Sequence, residues 1–415
     1  MIFHQTRSAE IPRSSLPAGL QRTERLDPLT GLRGVAAYAV LTAHAIDTAF
    51  FYGGVPIFHS FAARLAYFGM SLFFVLSGFV IHYNYAESFA REGLPAAGYK
   101  FFVARFARLY PLYIISLCVS APHVPVPNFA DHPGVLAAFL TLSQSWFNVE
   151  MAMFPPDWSV STEWFFYLAF IPLAALARRI NRPVLALAIY CLAAMPAVFF
   201  LLRLFSEPLT ALVQHWLFLN DKVSAGAWGW IIYFAPPIRL LEFIGGMLAA
   251  KAYLALRQRP LPSGALTAAL ILAPLWCVAV IFAGRLTHPP FQNILSNIIF
   301  APALAPLMLC VCLSRGLLSQ ALSSRPLVFM GEISYSVYVW SFFVLTMLAA
   351  SFQSTVFSPE AFFNSILKVT VDIGITTAFA YGSFLLIESP ARRWLRMVLS
   401  RSEREGPIQK TSSRA

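Results

Sequence analysis

Charge is what this 415-residue chain has least of: Asp, Glu, Lys and Arg make up 12% of it, against 58% hydrophobic residues. That is about half the charge a soluble globular domain carries, so a water-exposed surface over the whole chain is excluded. The length is accounted for by repeated apolar runs of about 20 residues, the measure of a bilayer. Acidic residues are scarcer still, 19 against 30 basic, for a net charge of +11. A basic excess can mark a nucleic-acid binder. Here the lysines and arginines fall in short segments between apolar runs, as the positive-inside rule requires, and no nucleic-acid partner is expected. The five cysteines all lie within apolar runs at no metal-ligand spacing and in no disulfide framework, so no metal is expected either. No apolar core precedes a cleavage site near the N-terminus, which excludes a signal peptide. No Gly-x-Ser-x-Gly elbow and no internal repeat are present.

The apolar runs lie near 29–51, 66–85, 101–121, 158–177, 184–202, 228–250, 264–283, 291–313, 328–350 and 364–387. They predict an all-α polytopic bundle of about ten transmembrane helices. Gly134 to Phe147 is too short to cross comfortably and reads as a re-entrant or interfacial helix, with a similar short piece over Leu209 to Leu219. Alternate loops are basic, among them Arg178-Arg179-Arg182 and Lys251-Arg257-Arg259, whereas 121–157 and 351–363 hold no lysine or arginine. Both termini are therefore expected in the cytoplasm. The expected organisation is a polar N-terminal tail over 1–28, a membrane domain over 29–397 and a disordered cytoplasmic tail over 398–415.

The first run holds the residues that fit this setting least. Arg33 and His44 are eleven residues apart, which on a helix is three turns plus roughly 20°, so they share one face about 16 Å apart. Asp47 follows one turn beyond His44. An imidazole and a carboxylate deep in an apolar span are costly and mark an interior with a function.

Four further patterns accompany that helix: Phe68-Gly-Met-Ser-Leu-Phe-Phe-Val-Leu-Ser77-Gly78-Phe79; Arg105-Phe-Ala-Arg108-Leu-Tyr110-Pro111; Asp157-Trp158-Ser159-Val-Ser161-Thr-Glu163-Trp-Phe-Phe-Tyr167; and Gly331-Glu-Ile-Ser334-Tyr335-Ser-Val-Tyr338-Val-Trp340, with a late Glu388-Ser-Pro390. In this order, from about Leu29 to Trp394, the chain resembles the integral-membrane acyltransferase-3 family, whose bacterial members O-acylate cell-surface glycans. The resemblance implies an acyl donor, typically acetyl-CoA, used as a substrate from the cytoplasmic side rather than as a permanently bound cofactor. It also implies a glycan or other hydroxyl acceptor, and residence in the bacterial cytoplasmic (inner) membrane.

The residues suit that chemistry. Acyl transfer from a thioester to an alcohol needs a base, and histidine titrates near neutrality. His44 is the candidate base, the plainer alternative being a hydrogen bond to a neighbouring helix. Asp47 either orients the imidazole and stabilises its charged form or faces water at the outer helix end. Arg33 meets a CoA phosphate or anchors the helix at the headgroups. Arg105 and Arg108 share one face near a helix start, where guanidinium forks match phosphate oxygens, so they are assigned to the donor. Glu163 holds an arginine, positions His44 or binds acceptor hydroxyls. Trp158, Trp164 and Tyr167 are either stacking platforms or an interfacial belt. Ser77-Gly78 and Ser334-Tyr335 serve helix packing rather than nucleophilic attack.

Two positions depart from the family pattern. Ser71 stands where members commonly carry Asp, and Ser341 where many carry His. A transporter or flippase of a polar lipid or glycan is the alternative reading; the missing repeats and broken helices of that class count against it.

Overall fold

The computed structural model describes residues 26–50, 56–120, 133–146, 157–216, 224–259, 263–282, 299–349, 359–394 and 397. Among these the chain is helical throughout, with no strand. The terminal tails, the end of the 209–219 run and the 351–358 part of a loop read from its lack of basic residues lie outside the described residues.

The first three helices are α1 (Asp27–Phe50), α2 (Pro56–Arg91) and α3 (Leu94–Ser120). The next long ones are α5 (Asp157–Arg178), α6 (Pro183–Leu204) and α8 (Ala227–Leu256), with the shorter α7 (Ser206–Trp216) between the last two. Last, after the short α11 (Leu317–Leu322), come α12 (Arg325–Glu332), α13 (Ser334–Leu348) and α14 (Pro359–Ser383), the last continuing through a π-turn at Phe384–Glu388. Seven helices among the described residues are long and apolar enough to cross a membrane, and α12 with α13, bent by 66°, makes an eighth. The remaining two expected spans fall on shorter elements, α9 (Ser263–Phe282) and α10 (Ala301–Leu313). The short run at 134–147 is α4 (Pro133–Leu140) followed by a 3₁₀ turn at Gln144–Trp146. That turn is pinned to α5: Ser161 Oγ donates to the Leu142 carbonyl at 2.8 Å and lies 2.7 Å from Ser145 Oγ, while Trp230 Nε1 donates to the Ser145 carbonyl at 3.0 Å.

Helix α2 is the axis of the bundle, flanked by α1 and α8. Its contact with α8 is made by glycines. A Cβ on Gly78 would stand 1.9 Å from the Phe243 carbonyl oxygen, and one on Gly246 1.9 Å from that of Val75. Small residues let backbones touch where lipid offers no hydrophobic drive for association. Between α1 and α2 the same role falls to Ala43, Ala62 and Ala66, which form one buried cluster. Several charges buried in the bundle are paired. Arg239 Nη1 lies 3.1 Å from Glu242 Oε1, Lys368 Nζ 2.8 Å from Asp372 Oδ2, and Glu388 accepts from Arg392 and, at 2.6 Å, from Ser336 Oγ.

Candidate active site

One cleft opens among α1, α2, α3, α5 and α13, with about 740 Å³ between its walls, counting the open mouth. Arg33, Arg105, Arg108 and Glu163 line it together with Ser77, Ser159, Tyr335 and Tyr338. Its apolar side is α2, through Met70, Phe73 and Phe74. Four of the six residues singled out in the sequence thus meet in one place, although they come from α1, α3 and α5.

The three arginines are held in different ways. Arg33 donates from Nη2 to Ser334 Oγ at 3.1 Å, and Ser334 in turn donates to the Gly331 carbonyl at the α12–α13 bend. Arg105 is buried. Its Nη2 donates to the Tyr85 hydroxyl at 2.9 Å, and its guanidinium faces the rings of Tyr85, Phe101 and Tyr167 at 4.8, 5.9 and 5.8 Å. Such a cage fixes the plane of the fork without neutralising it. Arg108 is half-buried and makes no hydrogen bond among the described residues. None of the three forms an ion pair within 4 Å among those residues.

Glu163 is the one carboxylate lining the cleft. Its Oε1 accepts from the Tyr167 hydroxyl at 2.7 Å and from Ser77 Oγ at 3.4 Å. The site therefore carries three guanidinium groups against one carboxylate, in a largely apolar enclosure. Water screens charge poorly there, so this excess is a strong field for an anion.

His44 and Asp47 are not among the cleft-lining residues. Helix α1 carries them past it. Gly69, next to the cleft residue Met70, comes up against Val40 of α1, and His44 follows one turn, about 6 Å, further along. His44 is half-buried and has no hydrogen-bond partner among the described residues. Asp47 is near enough to act on it electrostatically.

The two departures from the family pattern sit behind the walls. Ser71 donates to Glu242 Oε1 at 2.5 Å, so the position supports the buried Arg239–Glu242 pair, where an aspartate would set a second carboxylate against the first. Ser341 is buried and bonds the Tyr338 carbonyl at 2.8 Å. Sequence reasoning missed Tyr85, whose hydroxyl orders Arg105 from a neighbouring helix; nothing in its local sequence signals that.

The acyltransferase domain family profile matches residues 27–386. The chain belongs to the acyltransferase-3 family. It is 30% identical over 341 residues to acyltransferase MdmB of Streptomyces mycarofaciens, covering 78% of this chain and 80% of that protein. It is 22% identical over 388 residues to the peptidoglycan O-acetyltransferase OatA of Listeria monocytogenes, covering 88% of this chain but only 55% of OatA. Protein 2 in the picA locus of Rhizobium radiobacter is 40% identical over 100 residues, 24% of this chain and 46% of that protein. No solved structure matches. This protein is an integral-membrane O-acyltransferase, and the transporter reading is set aside on that ground.

Proposed function

We propose that this acyltransferase moves an acyl group, acetyl in the simplest case, from acyl-CoA to a hydroxyl of a glycan or related acceptor in the bacterial cytoplasmic membrane. The observation that carries this reading is the convergence of Arg33, Arg105 and Arg108, none ion-paired among the described residues, on one cleft. Coenzyme A presents a 3′-phosphate and a pyrophosphate, and three guanidinium groups at such close quarters suit that charge. The name of OatA, an O-acetyltransferase of peptidoglycan, supports acetyl and a glycan as first choices.

In this reading the phosphates rest on the arginines. The pantetheine arm runs outward along Met70 and Phe73, and the thioester arrives near His44. The acceptor hydroxyl attacks the thioester carbonyl while His44 takes its proton. The tetrahedral intermediate collapses, the C–S bond breaks, and the departing thiolate takes a proton from the imidazolium. Asp47 steadies that imidazolium. Glu163, already engaged by Tyr167 and Ser77, sets the position of the arginine face.

The test is acetyl release from labelled acetyl-CoA by purified protein in proteoliposomes, with a panel of glycan acceptors and His44→Ala alongside. Acceptor-stimulated release that the variant loses is the expected result. Neither CoA binding nor turnover in any acceptor's presence would overturn it.

A further inference from the structure

The arginine-lined cleft stops short of His44. Along α2 its wall runs from Ile81 to Met70, a rise of about 16 Å. Met70 is the α2 wall residue nearest His44, since Gly69 beside it abuts Val40 and His44 follows one turn on. Beyond Met70 the seam between α1 and α2 is shut. A Cβ on Gly69 would stand 2.7 Å from Val40 Cγ2 and 2.8 Å from the Ala36 carbonyl oxygen, and past it Ala43, Ala62 and Ala66 are buried together. Helices that close leave no space for a chain of methylenes between them.

The aromatic walls near that end of the cleft are held in place. The Phe73 ring meets the Tyr338 ring edge-on at 5.6 Å, and the Tyr338 hydroxyl lies 2.6 Å from Ser159 Oγ, so α2, α13 and α5 are bridged there. Phe74 packs edge-on against Trp158 and Phe166 at 5.9 and 5.1 Å, and the Arg239 guanidinium faces its ring at 5.2 Å. Met70 is also buried and lines the cleft, but it is built differently. Its unbranched chain turns about three bonds and adapts its shape, as the fixed rings do not.

We infer that Met70 sets the length of the acyl chain this enzyme accepts. A thioester advancing from the arginines towards His44 passes the Met70 side chain. The shut α1–α2 seam lies ahead of its acyl end, and the Phe73–Tyr338–Ser159 bridge runs alongside. A short straight acyl group, acetyl or propionyl, clears the Met70 thioether, and each further methylene has to displace it. The inference rests on the proposed transfer from acyl-CoA and names the acyl class that the same site takes. Arg33, Arg105 and Arg108 meet the phosphates, which every acyl-CoA shares, so the choice of acyl group falls to the other end of the cleft.

The experiment is calorimetry on the full chain in nanodiscs with CoA and with S-ethyl, S-propyl, S-butyl and S-hexyl CoA, stable thioethers that mimic the acyl series. Each affinity is divided by that of CoA for the same protein, which cancels any general change in the cleft. Wild type is expected to lose relative affinity from S-butyl CoA onward. Met70→Ala removes the thioether arm and is expected to raise the relative affinity of S-butyl CoA roughly tenfold, the worth of a methylene in an apolar pocket. Met70→Phe is expected to move the limit the other way and to weaken S-propyl CoA, while Met70→Leu, of similar volume, keeps the wild-type order. Shifts in opposite directions separate a length limit from a damaged fold. The same order in wild type, Met70→Ala and Met70→Phe, or a wild type that binds S-hexyl CoA as well as S-ethyl CoA, would overturn the inference and leave CoA as the donor. Failure of wild type to bind CoA or any of the thioethers would sink the donor reading, and the inference with it.

Discussion

Tyr167 ties together the two opposite charges of the cleft: its hydroxyl donates to Glu163 at 2.7 Å, and its ring faces the Arg105 guanidinium at 5.8 Å. Substitution of Tyr167 by Phe keeps the ring over Arg105 and frees the carboxylate. A hydrogen bond to a charged group contributes about 1.5–3 kcal/mol. Acetyl-CoA affinity, read by calorimetry, is expected to fall by an amount within that range. An unchanged Kd would show that the orientation of Glu163 does not matter for the donor.

Arg105 and Arg108 are not equivalent, although three residues apart on one helix. Arg105 is caged by three rings and Arg108 makes no hydrogen bond among the described residues. Lysine cannot reproduce a stacked planar fork. Arg105→Lys is therefore expected to impair CoA binding nearly as much as Arg105→Ala, whereas Arg108→Lys retains most of it. Equal tolerance of lysine at both positions, in a CoA titration of the four variants, would remove the distinction.

His44 lies one turn beyond the cleft, so its loss should spare the donor. The variant His44→Ala is expected to bind CoA normally while turnover falls by about 10²–10⁴, the usual worth of a general base. A parallel fall in CoA affinity would place His44 in donor binding instead.

The buried pair Arg239–Glu242 gives a stability prediction. Removing one partner strands a charge in the bundle, a loss of about 3–5 kcal/mol, while replacing both by apolar residues of similar volume is often neutral. Arg239→Ala is expected to lower the thermal midpoint in detergent sharply. The double variant Arg239→Met with Glu242→Leu is expected to recover most of it. A double variant as unstable as the single one would show that the cation–π cage, rather than the ion pair, holds this region.

Gly78 tests the central crossing. Its Cβ would meet the Phe243 carbonyl oxygen, which is backbone and cannot swing away. Gly78→Ala is expected to cost about 1–3 kcal/mol or more as α2 and α8 are forced apart. Normal yield and melting of this variant would mean the helices slide past one another freely.

How much of this was legible beforehand differs from residue to residue. Each of the ten apolar runs falls, at least in part, on a helix, because a bilayer imposes length and hydropathy on any span that crosses it. The shared face of Arg33 and His44 was legible because both lie on one helix. Arg105 and Arg108 were legible as a pair on one helix face, but their meeting with Arg33 of α1 and Glu163 of α5 in one cleft was not. Tyr85 behind Arg105 and Ser71 behind Glu242 carried no signal, since each acts on a helix distant in the chain.

The sequence by itself determined the class, the apolar helical runs and the family, along with the identity of the charged groups within those runs. These follow from composition, from the period of a helix and from motifs read along one dimension. Only the tertiary structure decided that three arginines share one cleft, that His44 stands a turn outside it, and that Arg239 is closed in by Phe74, Trp158 and Tyr233. Those relations depend on the rotation and register of one helix against another. Close contacts such as Gly78 on Phe243 set both, through shape that no single run of residues contains.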